Sequence, residues 1–143
     1  MSVCYVAGSD GIRAYYTSVP PLSDPLAPAL VQGWGLANGF TVNSLSLSDN
    51  DMLVACIGRN VHTWKIGADP TQLTAFKTCQ VPVDHSAEKA LVYAGKLYVA
   101  CGGPTGHLRV YRMPATEAGS ITFLWEADTA GSAVDLVVQK KGT

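Results

Sequence analysis

Eight side chains in this sequence have types and spacing suited to chemistry at a shared site, and they fall into two columns. The first holds Asn43 and Glu88, then Lys89 and Asp135 one position on, with His85 shortly before Glu88. Asn, Glu and Asp offer the oxygen atoms that hold a divalent cation, or an acid/base pair for hydrolysis. Glu88, Lys89 and Asp135 together could hold a small polar ligand, or Lys89 and Asp135 could simply pair with each other. The second column is Arg13, His62 and Arg109, and its plainer role is a solvent-facing or loop-capping side chain.

Other chemistries lack their motifs. Cys101-Gly102-Gly103-Pro104-Thr105-Gly106 is glycine-rich, but no Lys-Ser/Thr follows, so it is a turn and not a phosphate cradle. No serine lies in a nucleophile-elbow pattern. Cys4, Cys56, Cys79 and Cys101 are too scattered for a zinc site, and buried free thiols are the expectation, with no oxidising compartment required. No metal or cofactor is implied, and catalysis is not the first expectation.

Size and charge narrow the class. The chain has 143 residues, 48% apolar and 15% charged, enough to bury one core. The net charge is −1 and the basic residues are scattered, which argues against a nucleic-acid surface. No apolar run approaches the roughly 20 residues of a membrane helix. The start, Met-Ser-Val-Cys-Tyr-Val-Ala-Gly, lacks the basic opening of a signal peptide, so a cytoplasmic setting is expected.

The elements that must position these residues repeat. Leu97 to Met113 reads as strand, Gly/Pro turn, strand, and Cys4 to Tyr16 and Leu53 to Ile66 have the same layout. Val61 lies 49 residues after Ile12, and Leu108 lies 47 after Val61. The columns Arg13/His62/Arg109, Ala14/Thr63/Val110 and Tyr15/Trp64/Tyr111 follow in step. An inner strand should precede each pair, at Val42 to Ser48 and at Ala87 to Tyr93, with turns at Asp49-Asn50-Asp51 and Ala94-Gly95-Lys96. Outer strands should follow, at Leu73 to Thr78 and Ile121 to Trp125. In the first unit Ala29 to Trp34 is the candidate, after a surface loop rich in proline (Pro20, Pro21, Pro25, Pro28). Tight turns are expected at Asp10-Gly11 and Arg59-Asn60, with Gly and Asn supplying positive φ, and His107 falls in the longer third turn. Nothing before Cys4 serves the first unit as an inner strand. Residues Ala133 to Gln139 have the right pattern for one, at the other end of the sequence.

A period of 40 to 50 residues with several short strands resembles the blades of β-propellers. The aromatic-ended third strand resembles that of WD-repeat propellers, although Tyr16, Lys65 and Arg112 stand where their Asp would follow. The stretch Tyr98 to Gly103 is also similar to lactonase-type propellers. This resemblance implies an all-β fold of three four-stranded blades, at about 1–37 plus 132–143, 38–82 and 83–131. Three blades do not close a ring. The expectation is a six-bladed, head-to-tail homodimer in which each C-terminal strand completes the other copy's first blade. The first column would then line the central channel, and the plainer expectation for its polar groups is a hydrated wall. The implied function is a non-catalytic scaffold for a protein or peptide. Ile-Arg-Ala-Tyr and Leu-Arg-Val-Tyr also resemble small fucose-binding lectins, in which such an Arg contacts sugar alongside a Glu and Trp residues. A lactonase-like hydrolase using Asn43, Glu88 and Asp135 is the third expectation.

Overall fold

The computed structural model describes residues 2–17, 29–48 and 51–142. Those residues form three antiparallel sheets and no helix. Sheet one runs β1 (Val3–Gly8), β2 (Gly11–Tyr16), β3 (Ala29–Leu30). Sheet two runs β4 (Ser44–Ser48), β5 (Met52–Ile57), β6 (Asn60–Ile66), β7 (Leu73–Gln80). Sheet three runs β8 (Ser86–Tyr93), β9 (Lys96–Gly102), β10 (Leu108–Arg112), β11 (Thr122–Ala127). Each strand pairs only with its neighbours in sequence, so every sheet is a meander.

The ladders place like residues at like positions. Ala7 stands opposite Ile12, Cys56 opposite Val61, and Ala100 opposite Leu108. Tight turns set these registers. Gly11 has φ 88°, and a Cβ there would lie 2.4 Å from the carbonyl oxygen of Leu36, so only glycine fits. In the second turn the expectation needs correcting. Ile57 pairs with Asn60, which leaves Gly58-Arg59 as the two-residue loop. The positive φ, 59°, belongs to Gly58, and Asn60 is already extended in β6. Glycine at the first loop position twists the turn to match the strands, so Asn60 need not leave the extended region.

Sheet two lies between the other two. Along β5 every residue from Met52 to Cys56 is buried, because alternate side chains face opposite neighbours. Val54, Cys56 and Val61 join Val99, Cys101 and Tyr111 on the side of sheet three. Leu53, Ala55 and Trp64 join Ile12, with Tyr5 and Ala7 packed on, on the side of sheet one. A register shift between His62 and Trp64 interrupts the ladder to β7. There the buried Thr63 hydroxyl donates to the carbonyl of Lys77 (2.6 Å) and accepts from its amide (2.9 Å), replacing ladder bonds.

Four expected elements differ. The outer strand of sheet one is only Ala29–Leu30, since the chain turns at Gly33 (φ 71°) and touches β2 again only at the bridge from Leu36 to Ile12. β7 and β11 run on to Gln80 and Ala127, where the ladders still offer partners. The stretch Ala133 to Gln139 is no strand: beyond the bond from Ala133 to the Cys101 carbonyl it joins no ladder among the described residues. The proline loop at 20–28, Asp49-Asn50 in the second-unit turn, and the terminal Thr143 lie outside the described residues.

Candidate functional site

The first strands of sheets two and three meet along a polar seam. Asn43, just before β4, donates from Nδ2 to the carbonyl of Ala87 (3.1 Å). Ser46 Oγ donates to the carbonyl of Ala90. Lys89 Nζ reaches back to the carbonyl of Leu45 at 2.7 Å. A register shift between Ala87 and Lys89 sets Lys89 at that position. Glu88 accepts from Ser86 Oγ at 2.5 Å. Three of the polar side chains on these strands thus bond to the backbone of the strand opposite. Burial pushes the nearby thiols up, Cys56 to about 11 and Cys101 to about 12, so both stay protonated at neutral pH.

His85 lies at the end of this seam, buried. Its Nδ1 is 2.6 Å from Asp84 Oδ1, and its Nε2 meets the carbonyl of Thr105. Both ring nitrogens therefore face acceptors, and the ring fastens the 81–85 connector to the β9–β10 turn. The same hydrogen bond holds the exposed Asp84 carboxyl below its ordinary value. His107, also buried, accepts at Nδ1 from the Thr129 amide (3.1 Å) and so donates at Nε2 to the Gly103 carbonyl (3.0 Å). Asp135 is exposed and accepts from the following amide of Leu136 at 2.8 Å. Among the described residues no ion pair joins it to Lys89, and no three His, Cys, Asp or Glu side chains converge as metal ligands.

The second column is also engaged. Arg13 bonds the carbonyl of Ile12 (3.1 Å) and Asn38 Oδ1 (2.8 Å), and pairs with Asp10 at 3.3 Å. His62 stacks on Trp64 with centroids 5.8 Å apart and planes 19° apart, beside the Thr78 hydroxyl at 3.4 Å. Burial lowers its pKa. Arg109 donates from Nε to the Tyr111 hydroxyl (2.9 Å), pairs with Glu126, and lies 4.6 Å over the Phe123 ring. Burial works against its charge, but Tyr111 and Glu126 more than offset that, and its pKa is raised.

Sequence reasoning missed the connectors that enter the first strands. Residues 37–43 and 81–85 occupy matching places, and each exposes one apolar side chain: Phe40 at 61% and Val83 at 80%. Both connectors are pinned. Asp10 Oδ1 accepts from the Gly39 amide (2.8 Å), and the Phe40 carbonyl accepts from Gly11 (2.7 Å). Arg59 grips the carbonyls of Val81 (2.8 Å) and Pro82 (3.2 Å). One backbone bond also recurs at each crossing between sheets: Val42 to the Gly8 carbonyl (3.0 Å), Ala87 to Gly58 (2.8 Å) and Ala133 to Cys101 (3.0 Å). A lone apolar residue inside a turn, as in Gly39-Phe40-Thr41, was the available signal.

Among known proteins, a crystal structure of an all-β protein from Lactobacillus plantarum is similar, with a TM-score of 0.65 at 20% identity. The match covers 87% of this chain and 37% of that one, so the chain spans little more than a third of its neighbour's length. At this identity the likeness concerns the fold. No family model and no curated protein matches the chain.

Proposed function

We propose that this chain is a run of β-propeller blades acting as a non-catalytic scaffold that binds a protein or peptide on the face formed by the 37–43 and 81–85 connectors. The repeated meanders, the meeting of β4 with β8 and the likeness to a longer all-β protein support the blade reading. The observation that carries the function is the display of Phe40 and Val83 on connectors held by hydrogen bonds. Exposed apolar groups on a preorganised backbone lower the entropy lost on docking. The seam residues fit this reading as well, since Asn43 and Lys89 bond to backbone carbonyls.

The test is selection of peptides from a displayed library against the 143-residue chain. Selected peptides should lose binding to a Phe40→Ser, Val83→Ser variant that keeps the parent's circular dichroism and melting temperature. They should be indifferent to Glu88→Gln. Two results would overturn the proposal. Stabilisation by calcium or magnesium that Glu88→Gln abolishes would move the function to hydrolysis. Glycan binding lost in Arg13→Ala or Arg109→Ala would move it to a lectin.

A further inference from the structure

Besides its short outer strand, sheet one differs from the other two at its inner edge. In sheets two and three the hairpins β5–β6 and β9–β10 are flanked by β4 and β8. In sheet one β2 is the sole ladder partner of β1, whose other edge is free among the described residues. The effect on burial is direct: β1 alternates half-buried and exposed residues where β5 is buried from Met52 to Cys56. Between β1 and β4 a groove of about 440 Å³ is lined by Val3, Cys4, Tyr5, Leu45, Ser46, Leu47 and Leu53. Leu47 is left 63% exposed there.

The converse lies after β11. Ala133 makes the same crossing bond to sheet three that Val42 makes to sheet one, so the backbone is delivered as it is before β4. The next residues pair with nothing described, and Val134 and Val137 are 73% and 83% exposed. Among the described residues, one sheet thus has no strand on its inner edge, and one segment patterned like an inner strand has no sheet.

Resting on the blade reading above, we propose that the free edge of β1 is the docking site for residues 134–139 of a second copy of this chain. The register follows from sheet two. There Ser44 pairs with Cys56, Leu45 with Ala55, Ser46 with Val54, Leu47 with Leu53 and Ser48 with Met52. Carried over, Asp135 stands opposite Ala7, Leu136 opposite Val6, Val137 opposite Tyr5, Val138 opposite Cys4 and Gln139 opposite Val3. Val137 shares a face with Tyr5 and fills the groove, covering Leu47. Leu136 and Val138 share a face with Cys4 and Val6, which then turns toward the second copy's sheet three and its exposed Trp125. The exchange is reciprocal: each copy gives one strand and receives one, and a head-to-tail contact that closes after two copies makes a two-fold ring.

Cys4 is exposed while the other three cysteines are buried, so the register can be read covalently. Directly paired residues on adjacent antiparallel strands lie within disulfide reach. Val138→Cys under a mild oxidant should give a cross-linked dimer on a non-reducing gel, lost when Cys4→Ser is added. Val137→Cys, on the other face, should give none. Unmodified chain should sediment near 30 kDa, twice 15.1 kDa. Val137→Asp should weaken that association by ~100-fold, because a carboxylate would enter a groove with no cation among its lining residues and mostly apolar walls. Leu47→Cys, Leu53→Cys tests the equivalent pair inside one chain. If that pair closes and Val138→Cys does not cross-link, the docking is wrong while the sheets stand. If neither closes, the repeat reading falls too. A 15.1 kDa species at all concentrations, or cross-linking that survives Cys4→Ser, overturns the docking.

Discussion

Replacing Lys89 with Met keeps the length and apolar volume of the stem and removes one hydrogen bond from the seam, that to the Leu45 carbonyl at 2.7 Å. A hydrogen bond from a charged donor contributes about 1.5–3 kcal/mol when shielded from water. Lys89 is only half-buried, so screening leaves about 1–2 kcal/mol. For a chain of this size that is a fall in melting temperature of about 3–8 °C. Urea unfolding followed by tryptophan fluorescence, at one fixed protein concentration, should show a lower midpoint with an unchanged slope. Ser46→Ala, which removes the bond to the Ala90 carbonyl, should cost about 0.5–1.5 kcal/mol. If neither variant moves the midpoint, the seam groups are not structural ties, and their polar character would need a ligand to explain it.

Three further outcomes are expected. Leu97→Ala, at a fully buried site in the core between sheets two and three, should cost about 2–5 kcal/mol in the same urea assay. Gly11→Ala should prevent stable folding or sharply lower the melting temperature, because the new Cβ meets the Leu36 carbonyl at 2.4 Å and φ is 88°, whereas Gly131→Ala, with open space around it, should be tolerated. Burial lowers the pKa of His62 from 6.5, so the unfolded chain binds more protons just below that pH. The stability His62 contributes is therefore complete above pH about 6.5 and lost as pH falls through its folded value. His62→Gln should flatten the slope of melting temperature against pH in that window.

The sheets were legible because their signal is local. Strand, turn and strand lie within 14 to 17 residues, and the Ile12/Val61/Leu108 column recurs at one ladder position in all three sheets. The inner strands were legible too, since Leu45 and Leu47 alternate with serines. What each polar side chain touches was less so. Lys89 reaches the Leu45 carbonyl only because a register shift precedes it, and shifts leave no mark in a two-residue period. Asp135 was grouped with Lys89 by column, yet its segment joins no sheet among the described residues. Arg109 finds Glu126 across a ladder, a pairing set by the bulge between Val110 and Tyr111. Phe40 and Val83 were invisible to periodicity because turns have none.

The central claim is that residues 134–139 are a first strand waiting for a sheet. Hydrogen exchange of their amides, measured over a hundredfold range of protein concentration, tests it most directly. The account predicts fast exchange in dilute protein and slow exchange in concentrated protein, with the amides of Val3–Gly8 on the free edge of β1 gaining protection in parallel. Fast exchange of 134–139 at every concentration, while β5 and β9 stay protected, would contradict it.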